Sequence, residues 1–159
     1  MENDTDRLND LAFLSDLIVT CIQHKADVVQ ADEKENGLRR SLNVGHTTGH
    51  AIELSSGLSH GESVLYGMLF ETRMAVSAGV CEKEYGERLL ALIEKAIAIA
   101  PQESVDFSKI GDDAQKARAD KKNADDGKIK MAVAKAKNEW TMFALTFEEY
   151  REELIKAAR

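Results

Sequence analysis

Between Gly61 and Gly79 the chain is apolar on nearly every side and contains Gly67 in its middle. A segment of that length and character cannot sit on a surface, so it is predicted to be a helix at the centre of a bundle, with its neighbours arranged around it. The neighbours are helical as well. Leu8, Leu11, Leu14, Ile18, Cys21 and Ile22 recur at helical spacing and predict an amphipathic first helix, about Asp6 to about Lys25, that packs into the core. After the polar stretch Asp32 to Gly37, a second helix is expected from about Leu38 to Leu54, ending in the loop Ser55-Ser56-Gly57. Tyr85 to Ala100 reads as a further helix stopped by Pro101, the chain's one proline, and Asp112 to Ala119 as a short one before the turn-rich run Asn123 to Gly127.

The C-terminal part has a different rhythm. Lys128 to Lys135 and Glu139 to Leu145 alternate and predict a small β-hairpin turning at Lys137-Asn138. Thr146 with Glu149 forms a capping box that opens a last helix. The fold class is therefore mainly α: a helical bundle with a small C-terminal β-hairpin. A chain of 159 residues with 43% apolar side chains is expected to fold as one domain over 1–159.

Charge narrows the partners. The formal net charge is −7, which disfavours nucleic acid and membrane surfaces, because both require a basic face to displace counterions. Yet Gln115 to Lys137 holds eight Lys or Arg against three Asp, leaving −12 for the rest. Such a local cationic patch suits a small anion. Cys21 and Cys81 lack CxxC spacing and are read as buried thiols in a reducing compartment. The acidic start, Met-Glu-Asn-Asp-Thr-Asp, lacks the features of a signal peptide, and a cytoplasmic location is expected.

Chemistry concentrates in the histidines. His46, His50 and His60 fall within fifteen residues. His46 and His50 are four apart, so on a helix their imidazoles share a face, as needed to grip one metal or one substrate. On a continuous helix Arg39, Asn43, His46 and His50 would fall within an arc of roughly 60°. All four are polar where a core stripe would be apolar, so the stripe is expected to line a cleft, with Leu42, Ala51 and Leu54 packed on the opposite side and Gly45 and Gly49 as small contacts. The zinc-protease signature HExxH is excluded, since Thr47 stands where the glutamate would be. A catalytic metal with an open position needs three protein ligands, of which His46 and His60 are two candidates.

The runs Lys25-Ala26-Asp27-Val28-Val29, Asp32-Glu33-Lys34-Glu35-Asn36-Gly37-Leu38-Arg39, Leu42-Asn43-Val44-Gly45-His46-Thr47-Thr48-Gly49-His50-Ala51-Ile52-Glu53, His60-Gly61-Glu62-Ser63-Val64-Leu65-Tyr66-Gly67-Met68 and Asp120-Lys121-Lys122-Asn123 together resemble the C-terminal half of 3-dehydroquinate synthase. The departures are Val44 and Thr48, where the family has bulkier, often aromatic residues. The resemblance implies that His46 and His60 ligate Zn2+ (or Co2+), with a glutamate from a preceding segment as third ligand, and that Glu35 and His50 transfer protons. It further implies that Lys25, Arg39, Asn43 and one of Lys121 or Lys122 hold a small anionic sugar-acid phosphate. NAD would be bound by an N-terminal half that this sequence lacks, since no Gly-rich dinucleotide fingerprint follows a strand here. The partners implied are that half, the substrate and a second copy in a homodimer. By itself Lys25 is equally a solvated cation at a helix end, and Glu35 an exposed loop acid. A related sugar-phosphate cyclase, a metal-dependent polyol dehydrogenase and a non-catalytic helical module are the alternatives.

Overall fold

The computed structural model describes residues 10–100, 107–108, 110–118 and 127–159, with the backbone alone at 113 and 116–118. Its contacts group into two compact units, 1–42 and 43–159.

The first unit carries α1 (Leu11–Ala31), opened by Asp10, whose carboxylate accepts from the Ala12 and Phe13 amides. The helix runs past the expected end at Lys25 as far as Ala31. It has no buried residue, contrary to the expectation of core packing: Leu11, Ile18, Val19 and Ile22 are all exposed. Cys21, on the same helix, is exposed too, while Cys81 is buried as expected. Past α1 the Asp32 carboxylate gathers three backbone amides, those of Asn36, Gly37 and Arg39, and these bonds, Arg39 first, hold its carboxyl below the usual range. That loop leads into a 3-10 helix, Leu38–Asn43.

The second unit is a bundle built around a central helix, as its apolar run predicted. Here α2 (His46–Ser56), α3 (His60–Ser77), α4 (Lys83–Ile99), α5 (Ile110–Arg118) and α6 (Phe147–Ala157) accompany an antiparallel hairpin of β1 (Lys128–Ala136) and β2 (Glu139–Thr146). Nine residues of α3 are buried, Gly67, Phe70 and Met74 among them, and α3 packs against α2, α4, α6 and β1. Tyr150 and Leu154 of α6 and Ile129, Met131 and Val133 of β1 close the core. In β1 the consecutive residues Met131, Ala132 and Val133 are all buried, because helices cover more than one side of the strand. Asn138 makes the hairpin turn with φ 61, and Thr146 and Glu149 cap α6 reciprocally. Among the described residues no helix is long and apolar enough to cross a membrane.

One expected helix is divided. The continuous helix from Leu38 to Leu54 is interrupted between the 3-10 helix and α2, where Gly45 adopts φ 78. The cause is close packing on α3. A Cβ at Gly45 would lie 2.7 Å from the Met68 backbone nitrogen, and one at Gly67 would lie 2.0 Å from the Gly45 carbonyl oxygen. Three glycines, Gly45, Gly49 and Gly67, thus let two backbones touch, and α2 begins afresh in the direction that contact sets. Ala51 is buried as expected, whereas Leu54 is 71% exposed.

Candidate metal centre

His46 is the first residue of α2, His50 lies one turn further on, and His60 is the first residue of α3. The turn between the helices is set locally. The Ser55 and Ser56 hydroxyls donate to the Ile52 carbonyl, and Gly57 closes α2 in the left-handed region. Two residues later Ser59 and Glu62 form a capping box, with the Ser59 hydroxyl and amide holding the Glu62 carboxyl low. The result is an αα-hairpin whose second helix starts beside the first. The ring centroids lie 5.5 Å apart for His46 and His50, 5.5 Å for His46 and His60, and 5.7 Å for His50 and His60.

Two of these rings are oriented by acceptors. His46 Nδ1 is 3.2 Å from the Val44 carbonyl oxygen, and His60 Nδ1 is 3.0 Å from Glu53 Oε2. A carbonyl or carboxylate oxygen only accepts, so each bond places a proton on Nδ1, and in the neutral imidazole the lone pair is then on Nε2. Glu53, three residues after His50 on α2, completes a second grouping: His50, Glu53 and His60 offer ligand atoms within 4.8 Å of one another. Imidazole nitrogens and a carboxylate oxygen form a donor set suited to a borderline divalent cation such as Zn2+ or Co2+.

The base of α2 is held from a distance. Gly45 offers no side chain to cap the helix, and Glu71 of α3 does so: its carboxylate accepts from the Gly45 amide at 2.9 Å and the Thr48 amide at 2.8 Å. Glu71 is 1% exposed. Burial pushes its carboxyl up to about 7, against the opposing pull of the Thr48 and Gly45 donors. Thr48 is buried as well, its hydroxyl 3.0 Å from that of Tyr150, and Thr47 donates to the Lys130 carbonyl of β1. The helix bearing His46 and His50 is thus tied to α3, α6 and the hairpin.

The expected site residues divide between the units. His46, His50, His60 and Asn43, which is half-buried, belong to the second. Lys25, exposed on α1, belongs to the first, with Glu35 at φ 56 and Arg39, whose Nη1 donates to the Glu33 carbonyl at 2.8 Å. The single-helix stripe joining Arg39 and Asn43 to His46 and His50 does not exist, because the 3-10 turn and left-handed Gly45 intervene. Lys121 and Lys122 lie outside the described residues. Glu53 and Glu71 were given no role by sequence reasoning. The available signals were the His50-x-x-Glu53 spacing for the first and, for the second, a carboxylate in the middle of the segment predicted to be the buried central helix.

A family model described as 3-dehydroquinate synthase C-terminal matches residues 1–123. Among curated relatives, the 3-dehydroquinate synthase of Pelobacter propionicus is 42% identical over 98 residues, 58% of this chain and 27% of the relative. That of Dehalococcoides mccartyi is 36% identical over 144 residues, 87% of this chain and 39% of the relative. Of solved structures, 2-deoxy-scyllo-inosose synthase complexed with carbaglucose-6-phosphate, NAD+ and Co2+ shares the fold, with a TM-score of 0.69 at 23% identity, over 91% of this chain and 41% of that one. The chain spans well under half the length of the curated relatives it matches.

Proposed function

This chain belongs to the 3-dehydroquinate synthase C-terminal family, and from that premise we propose that it is the metal- and substrate-binding part of a 3-dehydroquinate synthase, a cytoplasmic lyase. The complete enzyme would convert 3-deoxy-arabino-heptulosonate 7-phosphate to 3-dehydroquinate and phosphate in the shikimate pathway of aromatic amino acid biosynthesis. The observation that carries the reading is the convergence of three imidazoles, His46, His50 and His60, on adjoining helix starts. Two of them have Nδ1 engaged by an acceptor and so present Nε2.

In this reading His46 and His60 hold Zn2+ or Co2+ through nitrogen, with a glutamate of the nucleotide-binding half as third ligand. Held there, the cation would supply Lewis acidity toward substrate hydroxyls. His50, on the same face of α2 as His46, exchanges a proton with the substrate, as does Glu35. Lys25, Arg39, Asn43 and one of Lys121 or Lys122 neutralise and orient the phosphate and carboxylate. NAD, held by the other half, would supply the redox chemistry. The chain alone therefore binds zinc weakly and turns nothing over.

Two measurements test this. The 159-residue chain is expected to take up zinc in a manner abolished by His46→Ala, with no synthase activity. Mixing it with a nucleotide-binding half of a family member should restore turnover of the heptulosonate phosphate. Full activity in the chain alone, or zinc uptake indifferent to His46 and His60, would overturn the reading. The fold shared with 2-deoxy-scyllo-inosose synthase supports a second reading, a sister sugar-phosphate cyclase. Turnover of a hexose phosphate in preference to the heptulosonate by the reconstituted enzyme would favour that one.

A further inference from the structure

Glu53 lies in the last turn of α2 and reaches across to the first residue of α3. On the metal reading given above, we infer that Glu53 is a positioning residue: it holds the His60 imidazole in the Nδ1–H form and so presents Nε2 to the cation. The backbone at both ends of the contact is set by local caps and packing. The Glu53 end is fixed because Ile52, beside it, is buried and α2 is closed by Ser55, Ser56 and Gly57. The His60 end is fixed by the Ser59–Glu62 capping box. Between them Glu53 Oε2 and His60 Nδ1 stand 3.0 Å apart.

A proton must lie on that line. If His60 presented a Nδ1 lone pair there, two acceptors would face each other at hydrogen-bond distance, which is repulsive. With the proton on Nδ1 the contact is a charge-assisted hydrogen bond, and a neutral imidazole has only one N–H, so Nε2 is left as the ligand atom. Without this acceptor the ring would divide its proton between the two nitrogens and rotate more freely. The alternative, Glu53 as a direct ligand beside His50 and His60, uses the same cluster but would place the carboxylate on the cation rather than on Nδ1–H.

The test uses the 159-residue chain, 15N-labelled and stripped of metal, with Glu53→Gln and Glu53→Ala. Glutamine keeps an oxygen that can accept from Nδ1–H, and alanine does not. Long-range 1H–15N spectra are expected to show His60 in the Nδ1–H form in the wild type and in Glu53→Gln, and a tautomer mixture in Glu53→Ala. Titration with zinc should then give an affinity lower by about tenfold in Glu53→Ala and largely retained in Glu53→Gln. An unchanged His60 tautomer in Glu53→Ala would overturn the inference. So would a Glu53→Gln chain that loses zinc as completely as Glu53→Ala, which would make Glu53 a ligand. A wild-type chain that takes up no zinc would count against the metal reading alone, and the metal-free spectra would still decide the role of Glu53.

Discussion

Helices α1 and α3 are close in length, 21 and 18 residues, and both carry apolar side chains at helical spacing, yet they end in opposite states. No residue of α1 is buried, and Ile18, Val19 and Ile22 are each more than half exposed. In α3 nine residues are buried, including the ionisable Glu71. The difference teaches that periodicity tells which side chains share a face and says nothing about whether a partner stands opposite it. The α3 run is apolar on nearly every side, so it is enclosed by the elements that surround it. The pattern of α1 is one-sided and tolerates water.

The contrast can be broken most forcefully at Gly67. Gly67→Ala should lower the free energy of unfolding by about 3 kcal/mol in urea titration, because its Cβ would meet backbone atoms of Gly45 and Gly49, at 2.0 and 2.6 Å, which cannot swing aside. Alanine is worth about 1 kcal/mol more than glycine in an unstrained helix, so a neutral or stabilising outcome would mean that α2 does not lie against α3.

A similar but pH-dependent effect is expected at Glu71. Its folded-state value is raised from 4.5 to about 7, so its contribution to stability is fully present below about pH 4.5 and is lost as the pH rises through about 7. The loss is on the order of 3 kcal/mol at most. Unfolding free energies of the wild type measured across that window should fall relative to those of Glu71→Gln, which has no proton to lose there. Parallel profiles would show that the carboxyl is solvated.

Smaller effects sharpen the comparison. Ser59→Ala removes the hydroxyl half of the capping box that starts α3 and is expected to cost about 1 kcal/mol in thermal or urea melts, with His60 less well ordered in NMR spectra. Ile18→Ser on α1 should change stability by no more than about 0.5 kcal/mol. A loss of 2 kcal/mol or more would show that α1 is buried against something, and the distinction between the two helices would disappear.

Much of the fold was legible because the responsible interactions are short in sequence. The Thr146–Glu149 box, the hairpin turn at Asn138, the loop through Gly57 and the buried helix around Gly67 each rest on contacts or patterns a few residues wide. The proximity of the histidines was legible too, since a four-residue spacing and a short αα turn bring His46, His50 and His60 together. Illegible were the break at Gly45 and the roles of Glu53 and Glu71. Each depends on a neighbour that helical geometry does not specify: Gly45 on Met68 and Gly67, Glu53 on the first residue of the next helix, Glu71 on amides 23 and 26 residues earlier.

The sequence by itself determined most of the helical segments, where the hairpin turns, and that His46, His50 and His60 lie within fifteen residues, two of them on one helix face. Caps, turns and amphipathic periods are local free-energy choices, made within about four residues. Only the tertiary structure decided that a helix expected to run unbroken restarts at Gly45, and that a buried carboxylate from the central helix holds its new beginning. Those outcomes come from two backbones pressed together at glycines and from amide groups that must find an acceptor once water is gone.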